Sequence, residues 1–304
     1  MKTSVALCTY NGEKYLGIQL DSILSQTLAV DEIVVCDDGS TDATISILNS
    51  YKEKNPSVFR IYQNEKNLRS VKNFEKAISL CENDIIFLSD QDDEWLPEKV
   101  EKMVALFQSA RQTEVIATNA EIISEKNSYT QFSVWDIPSK SVASIKEILF
   151  FYQNFCTGAT MAFRKEFMRE IVPFPPEELF HHDEWIALNA VSKNKLHFLD
   201  EKLIRYRIHD SQQVGSVSLS EDELSRSLEK INLPPEKMNS DLIFSVLKKI
   251  KRKLIHIEHF RPEEHKSFFN YYVKAINDKS QKLTDIARNK FFLMYSFYKI
   301  SGKI

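Results

Sequence analysis

Short apolar runs alternate along the first third of the chain with longer segments in which apolar residues recur every three or four positions. The runs at residues 4–9, 32–36, 58–62 and 85–88 are too short for helices and fit strands buried on both faces. The intervening segments, of which residues 16–24 are an example, carry apolar residues on one helical face. This alternation predicts an α/β fold with a parallel, right-handed, doubly wound sheet.

The middle of the chain continues the strand pattern with less regular spacing. Residues 115–120, 156–163 and 196–199 are predicted strands, and Gly158 in the second permits either a bulge or the close approach of a ligand. Residues 124–142 are polar and are predicted to form a loop. Long loops in compact domains are often functional, so we expect this one to lie near a binding site.

Carboxylates crowd the end of the fourth predicted strand. Asp90, Asp92 and Asp93, which we call the acidic cluster, follow the run at residues 85–88 directly. Because like charges at this spacing repel, we expect a positive group among them, and carboxylate oxygens suit Mg²⁺ or Mn²⁺. The alternative is a solvated acidic loop that caps the helix predicted after Pro97.

Polar residues also end the first and second predicted strands. Thr9, Tyr10 and Asn11 follow the first strand, and Asp37 and Asp38 follow the second. The carboxyl ends of parallel strands lie along one edge of a sheet, so these residues should converge with the acidic cluster, as in nucleotide-binding sheets. Neither the glycine-rich dinucleotide motif nor the phosphate-binding loop motif occurs, which argues against those two kinds of nucleotide site.

Composition indicates which binding partners and which cellular compartment to expect. The 304 residues carry a net charge of -3, so we expect no nucleic-acid partner. Four cysteines without a C-x-x-C pair predict buried thiols in a reducing cytoplasm. The N-terminus begins as a predicted strand, so no signal peptide is expected, and no apolar run reaches the ~18 residues that a membrane span needs.

Charge is unevenly distributed along the chain. Residues 241–304 carry a net charge of +8, which leaves -11 for the rest. An apolar helical stripe from Ile243 to Ile257 stands mainly opposite the basic residues at 248–253. This helix is predicted either to lie on an anionic membrane surface or to pack on the preceding domain with its basic face in water. The aromatic residues at 291–298 could pack, contact lipid or form a homo-oligomer.

Three ordered motifs resemble the signature of family 2 glycosyltransferases with the GT-A fold. The resemblance implies an α/β fold with a doubly wound, mixed but mainly parallel sheet and a C-terminal helical extension. The motifs are residues 8–12 (CTYNG), 37–42 (DDGSTD) and 89–95 (SDQDDEW). Their order and spacing match the family over residues 1–110. With Asn67 and the KNFE sequence at 72–75, they are most similar to the bacterial rhamnosyltransferase-like branch.

The resemblance implies a donor site for a UDP- or dTDP-linked sugar. Asp38 would accept the imide N–H of the pyrimidine base, and Asp90 would bind the ribose or the metal shell. The residues predicted to bind the donor nucleotide are Thr9, Tyr10, Asn11, Asp38, Asn67, Lys72 and Asp90. Arg69 stands where relatives often carry glycine, so we expect the loop around Asn67 to differ in shape.

The resemblance also implies a metal site and a catalytic base. Asp92 and His209 would bind Mg²⁺ or Mn²⁺ on the diphosphate, although a histidine after a strand is often merely structural. Asp183 would be the general base, while its simpler role is to stabilise the start of a helix. Further candidate residues are Asp37, Gln91, Asp93, Gly158, Glu184, Trp185, Arg205 and Arg207. Of these, Glu184 is the alternative base, and Arg205 or Arg207 would neutralise phosphate.

The implied enzyme is an inverting, metal-dependent glycosyltransferase that moves one sugar, rhamnose or a hexose, to a glycan or lipid-linked acceptor. Residues 1–217 would be the catalytic domain, with a nucleotide-binding half at 1–110 and an acceptor half at 111–217. Residues 218–304 would be a helical extension. Such an enzyme would build surface polysaccharide in the cytoplasm, on the inner face of the cell membrane. The alternatives are a sugar-nucleotide nucleotidyltransferase, which usually has a glycine-rich phosphate loop, and a non-catalytic carbohydrate-binding protein, which would lose the carboxylates.

Overall fold

The protein forms two compact units. The computed structural model describes residues 1–125, 128–136, 144–152, 154–210, 212, 225–226, 229, 232–260 and 263–300. Unit 1 comprises Met1–Trp135, Cys156–Phe174 and His181–Ser218, and unit 2 comprises Asp136–Phe155, Pro175–Phe180 and Leu219–Ile304. The helical extension predicted from the sequence, residues 218–304, corresponds to the last segment of unit 2 and lacks its two earlier segments. The predicted boundary after residue 217 lies outside the described residues.

A single mixed sheet forms the centre of unit 1. Its strands among the described residues are β1 (Thr3–Thr9), β2 (Glu32–Asp37), β3 (Phe59–Gln63), β4 (Ile85–Ser89), β5 (Glu94–Trp95), β6 (Val115–Ser124), β7 (Tyr129–Ser133), β8 (Met161–Arg164) and β9 (Leu196–Ile208). They follow the order β3-β2-β1-β4-β8-β6-β9-β5, with β7 paired to β6. The first four in this order are parallel, whereas β8 runs antiparallel to both β4 and β6. The predicted α/β fold with a mixed sheet is confirmed.

Helices flank the sheet and make up most of unit 2. Those of the described residues are α1 (Leu16–Leu24), α2 (Thr44–Lys54), α3 (Arg69–Leu80), α4 (Lys99–Ser109), α5 (Ile145–Glu147), α6 (Met168–Ile171), α7 (His182–Ser192), α8 (Ser240–Phe260), α9 (Lys266–Lys290) and α10 (Phe292–Ile300). The apolar face of α3, including Val71 and Phe74, is buried and packs against β1 and β2. The side chains of β1, β2 and β4 are almost all buried, as predicted for parallel strands covered on both faces.

Two predicted segments differ from the observed structure. The predicted loop at 124–142 contains strand β7, which pairs antiparallel with β6, and Trp135 after it is buried beside Phe198. Residues 126–127 and 137–142 of that loop lie outside the described residues. The predicted strand at 156–163 is shorter than expected, because Gly158–Thr160 form a 3₁₀ turn before β8 begins.

The apolar stripe of α8 is buried inside unit 2. Ile243, Val246, Leu247 and Ile250 are almost fully inaccessible to solvent, and α8 packs against α9. These apolar side chains are therefore not available to lipid. Of the basic residues at 248–253, Arg252 is exposed and the lysines are half-buried. In the part of the chain that the structure describes, no helix has the length and apolar character needed to cross a membrane.

The burial of β4 leads to a stability prediction. Ile86 is 0% exposed, whereas Ile18 on α1 is 40% exposed. We expect Ile86→Ala to lower the free energy of unfolding by ~2–5 kcal/mol, because it leaves a cavity between sheet and helices. The same substitution at Ile18 should change it by no more than ~0.5 kcal/mol. Urea denaturation followed by circular dichroism would measure both, and equal losses would contradict the burial of β4.

Candidate active site

Gln91 joins the ends of β1 and β4. Its side-chain oxygen accepts the backbone N–H of Tyr10 at 2.8 Å, and its amide donates to the Tyr10 carbonyl at 3.0 Å. A β-carbon on Gly12 would collide with the Gln91 side chain, so glycine is needed for this contact. Gln91 therefore brings the polar residues of the two strand ends together, and the Tyr10 side chain remains 41% exposed beside them.

Asp37 and Asn11 shape the loops that follow β1 and β2. The Asp37 carboxylate accepts bonds from the Thr9 hydroxyl at 2.8 Å and from the Ser40 backbone N–H at 2.9 Å. Asn11 has a positive φ of 48°, which asparagine tolerates better than most residues, and its side chain accepts the Thr41 N–H at 2.8 Å. In this arrangement Thr9, Asn11 and Asp37 build the loop framework.

Asp38 is buried and organises the loop before α3. Its carboxylate accepts bonds from the backbone N–H groups of Leu68 at 2.7 Å and Arg69 at 2.9 Å, and from the Asn64 amide at 2.8 Å. The Asn67 amide donates to the Asp38 carbonyl at 3.2 Å. A carboxylate has about four lone-pair sites, so one remains for a ligand, and base recognition by Asp38 stays a prediction.

Arg69 and Lys72, both in the first turn of α3, have different surroundings. Arg69 has a φ of 63°, in the left-handed region that favours glycine, so the backbone keeps a conformation that glycine would also adopt. Any difference in loop shape then comes from its side chain. The Lys72 ammonium bonds to Glu75 at 2.6 Å and to the Phe174 carbonyl at 2.8 Å. Binding of the donor nucleotide by Lys72 would require these contacts to break.

Buried positive charge accompanies the acidic cluster. Burial, followed by the charges of Asp92 and Asp183, raises the pKa of Asp90 to about 8, and the charge of Lys99 opposes this rise. The Lys99 side chain is fully buried, where its amine bonds to the Ala159 carbonyl at 2.5 Å. Burial lowers the pKa of Lys99 to about 7, against the opposing charges of the cluster. The positive group expected from the sequence is therefore supplied in part by the chain itself.

Asp93 and Arg207 form the innermost part of the same region. Asp93 accepts the Arg207 backbone N–H at 3.0 Å through one carboxylate oxygen, and its other oxygen has no hydrogen-bond partner among the described residues. Burial, followed by the neighbouring carboxylates, raises the pKa of Asp93 well above its usual value. The Arg207 guanidinium donates to the Asp92 carbonyl at 2.8 Å and lies 4.6 Å from the Tyr15 ring centroid. Asp93 and Arg207 thus face inward.

Asp92 and His209 form a carboxylate–imidazole pair. The Asp92 Oδ2 and His209 Nε2 atoms are 3.0 Å apart. The centroids of the His209 and Tyr15 rings are 5.1 Å apart. Across the described residues, no group of three or more His, Cys, Asp or Glu side chains is placed to hold a metal ion. Magnesium in phosphate-binding sites commonly uses one or two protein carboxylates together with substrate phosphates. The pair therefore fits an ion that is completed by a bound diphosphate.

Asp183 lies in the first turn of α7, close to the acidic cluster. Its carboxylate accepts the Glu184 N–H at 2.6 Å and also interacts with the backbone N–H of Gly158. Burial raises the pKa of Asp183 to about 6, although these N–H groups oppose the shift. The charge of Asp183 contributes to the raised pKa of Asp90, so a separate helix delivers its carboxylate to the end of β4.

Gly158 and Trp185 have structural roles in this region. A β-carbon on Gly158 would lie 2.5 Å from His182 Nε2, and the His182 ring stacks on Phe74 with centroids 4.0 Å apart. The close approach expected at Gly158 is thus made by a histidine of the chain. Trp185 is fully buried and donates to the Ile171 carbonyl at 2.8 Å, so its side chain has no surface for a ligand.

The surroundings of Arg205 and Lys99 differ from what the sequence suggested. Arg205 pairs with Glu94 at 2.6 Å and lies 3.6 Å from Glu121, so two carboxylates compensate its charge, which makes it a poor phosphate ligand. The role of Lys99 beside the acidic cluster was not predicted. The sequence contained a signal for the burial of Lys99, because Lys99 lies four positions before the apolar Met103 and so shares its buried face of α4.

Comparisons with known proteins agree with the geometry. The profile of Glycosyl transferase family 2 matches residues 4–172. The chain is 26% identical over 248 residues to an uncharacterized glycosyltransferase of Nostoc sp., covering 80% of this chain and 76% of that protein. It is 28% identical over 229 residues to the dTDP-rhamnosyl transferase RfbG of Shigella flexneri, covering 69% and 74%.

Solved structures share the fold at low sequence identity. TarS of S. aureus, solved in complex with UDP-GlcNAc, superposes with a TM-score of 0.56 at 18% identity and covers 92% of each chain. The mannosyltransferase PcManGT from Pyrobaculum calidifontis, in complex with GDP-Man and Mn²⁺, gives a TM-score of 0.54 at 14% identity, covering 99% of this chain and 79% of that one. The sequence match spans more than half of the chain, and on that ground this protein belongs to glycosyl transferase family 2.

Proposed function

We propose that the protein transfers one sugar from a UDP- or dTDP-linked donor to a glycan or lipid-linked acceptor, with inversion at the anomeric carbon. The observation that carries this proposal is the convergence of the Asp92–His209 pair and Asp183 at the carboxyl end of β4. The names of the relatives support a nucleotide-sugar donor, and that of RfbG supports rhamnose as the transferred sugar, with a hexose as the alternative.

The donor nucleotide would bind along the ends of β1, β2 and β4. The exposed ring of Tyr10 offers a surface for the base, and Asp38 has one acceptor site left for an imide N–H. Asp92 and His209 would hold Mg²⁺ or Mn²⁺ beside the diphosphate. When bound, such an ion supplies Lewis-acid stabilisation of the negative charge on the departing nucleoside diphosphate.

Asp183 would act as the general base. Its pKa of about 6 leaves most of the carboxylate ionised at neutral pH, yet makes it a stronger base than an exposed aspartate. The acceptor hydroxyl would lose its proton to Asp183 while its oxygen forms a bond to the anomeric carbon. The bond from that carbon to the diphosphate oxygen breaks in the same displacement, which inverts the configuration without an enzyme nucleophile.

This chemistry suits the synthesis of surface polysaccharide on the inner face of the cell membrane. A panel of UDP- and dTDP-linked sugars, each assayed for donor turnover with Mn²⁺ and with a chelator, tests the proposal directly. We expect turnover of at least one donor that depends on the metal. Cleavage of none, or formation of a sugar nucleotide from sugar phosphate and nucleoside triphosphate, would overturn it.

The Asp92–His209 pair predicts the effect of removing one ligand charge. Asp92→Asn should abolish metal-dependent donor turnover and weaken Mn²⁺-dependent binding of nucleoside diphosphate, as measured by calorimetry. The matched control is Asp278→Asn, because Asp278 is an exposed carboxylate on α9. Metal-dependent turnover that survives Asp92→Asn at the control level would remove Asp92 from the metal site.

The position of Asp183 predicts a separation of binding from chemistry. Asp183→Asn should lower the transfer rate by ~10²-fold or more while leaving donor affinity close to the wild-type value. Glu184→Gln is the control, because it neutralises the neighbouring carboxylate on the same helix. Steady-state rates together with donor titrations distinguish the two, and a larger loss of transfer in Glu184→Gln would identify Glu184 as the base.

The raised pKa of Asp183 predicts the pH dependence of transfer. A general base must be deprotonated, so its active fraction falls as the pH drops through its pKa of about 6. The transfer rate at saturating donor and Mn²⁺ should therefore decline below about pH 6, well above the ~3.9 of an ordinary aspartate. The residual rate of Asp183→Asn should lack this decline, and its persistence in that variant would assign it to another group.

A further inference from the structure

One face of α8 lines a cavity of about 740 Å³ within unit 2. Lys248, Lys249, Arg252, Lys253 and His256, which we call the basic cavity residues, are among its lining side chains. Their spacing of one, three or four positions places them on a single face of the helix over ~12 Å, at 1.5 Å per residue. Two carboxylates, those of Glu178 and Asp241, also line the cavity, so the cations outnumber them before any charge on His256 is counted.

The positive charge on this face is concentrated and only partly compensated. Lys248 and Arg252 are one turn apart on α8, as are Lys249 and Lys253, and like charges at this spacing repel. Neither Lys248 nor Arg252 forms an ion pair with a carboxylate of the described residues. A bound anion would relieve this repulsion, which the helix otherwise carries as a cost in stability.

Aromatic rings and a carbonyl hold three of the lysines in place. The Lys248 ammonium lies 4.9 Å from the Tyr298 ring centroid, and that of Lys253 lies 4.1 Å from the Phe180 ring centroid. The Lys249 amine bonds to the Tyr152 carbonyl. Lysines positioned in this way lose less conformational entropy when an anion binds, so the cavity is organised for binding before the ligand arrives.

We propose that the basic cavity binds the phosphate groups of an extended, phosphate-bearing ligand. The Arg252 guanidinium can bind a phosphate through two parallel N–H bonds, and Lys248 supplies a point charge one turn away. A cavity of about 740 Å³ has room for more than one phosphate. The shared chemistry has two sources, an anionic lipid headgroup or a soluble phosphate-rich molecule, and binding from either does not depend on the proposed sugar transfer.

The burial of the apolar stripe determines what form lipid binding would take. Ile243, Val246 and Ile250 are covered inside unit 2, so α8 cannot rest on a bilayer through its apolar face. Contact with a membrane would then be recognition of headgroups by the basic cavity residues. Such contact weakens with ionic strength, because added salt shortens the range of the attraction to ~3 Å at 1 M.

The test is a charge-matched pair of variants of the full-length protein. Lys248→Gln with Arg252→Gln removes two cavity charges, and Lys237→Gln with Lys274→Gln removes two exposed charges elsewhere in unit 2. Each protein is titrated with tripolyphosphate by calorimetry in the presence of a chelator, so that no divalent ion brings phosphate to Asp92 and His209. Each is also sedimented with phosphatidylglycerol-containing vesicles and with phosphatidylcholine vesicles.

We expect the cavity variant to lose at least ~10-fold in affinity and the control variant to stay within ~2-fold of wild type, since each charge-assisted bond contributes about one factor of ten. Tripolyphosphate binding with this pattern identifies a soluble phosphate ligand, and the pattern with phosphatidylglycerol vesicles alone identifies a lipid headgroup. Equal affinity of the two variants, or no binding of either anion by wild type, overturns the proposal. If the cavity variant melts at a lower temperature, Arg252→Lys replaces it; this substitution keeps the charge, loses the two-bond geometry and should still weaken binding.

Discussion

Carboxylates buried side by side raise the free energy of the folded state unless positive charge lies near them, and unit 1 is built around this constraint at the end of β4. Lys99 from α4 acts on the acidic cluster through its charge, and Arg207 from β9 bonds to Asp93 through its backbone N–H. Both are fully buried, and each also bonds to a backbone carbonyl. The Lys99 charge therefore opposes the rise in the pKa values of Asp90 and Asp93, the backbone N–H of Arg207 bonds to Asp93, and Asp92 faces His209.

The end of β4 therefore holds fully buried residues next to residues that solvent can reach. Asp93 and Arg207 are inward-facing parts of the scaffold, whereas Asp92 and His209 are still slightly exposed. Asp183 comes from a different element, α7, and its charge contributes to the raised pKa of Asp90. A carboxylate in such surroundings binds a proton more tightly than an exposed aspartate, which suits it to remove a proton from a hydroxyl group.

Many residues of the family motifs act first on the loops. Gln91 ties β4 to β1, Asp37 closes the turn after β2, and Asp38 gathers the loop before α3. Their side chains are engaged in these bonds. The motifs therefore hold the ends of three parallel strands together, and the proposed ligand contacts of Tyr10 and the Asp92–His209 pair depend on this frame.

The sequence alone determined the parallel half of the sheet, because runs such as residues 85–88 are apolar throughout and a strand buried on both faces requires this pattern. The same reasoning brought Asp38, Asp90 and Asp92 to one edge, since parallel strands end on the same side. Strand β7 was missed because its polar sequence lacks that signal. The contacts of Lys72 with the Phe174 carbonyl, of Lys99 with the Ala159 carbonyl and of His182 with Gly158 depend on distances between segments far apart in the chain, which only the tertiary structure could decide.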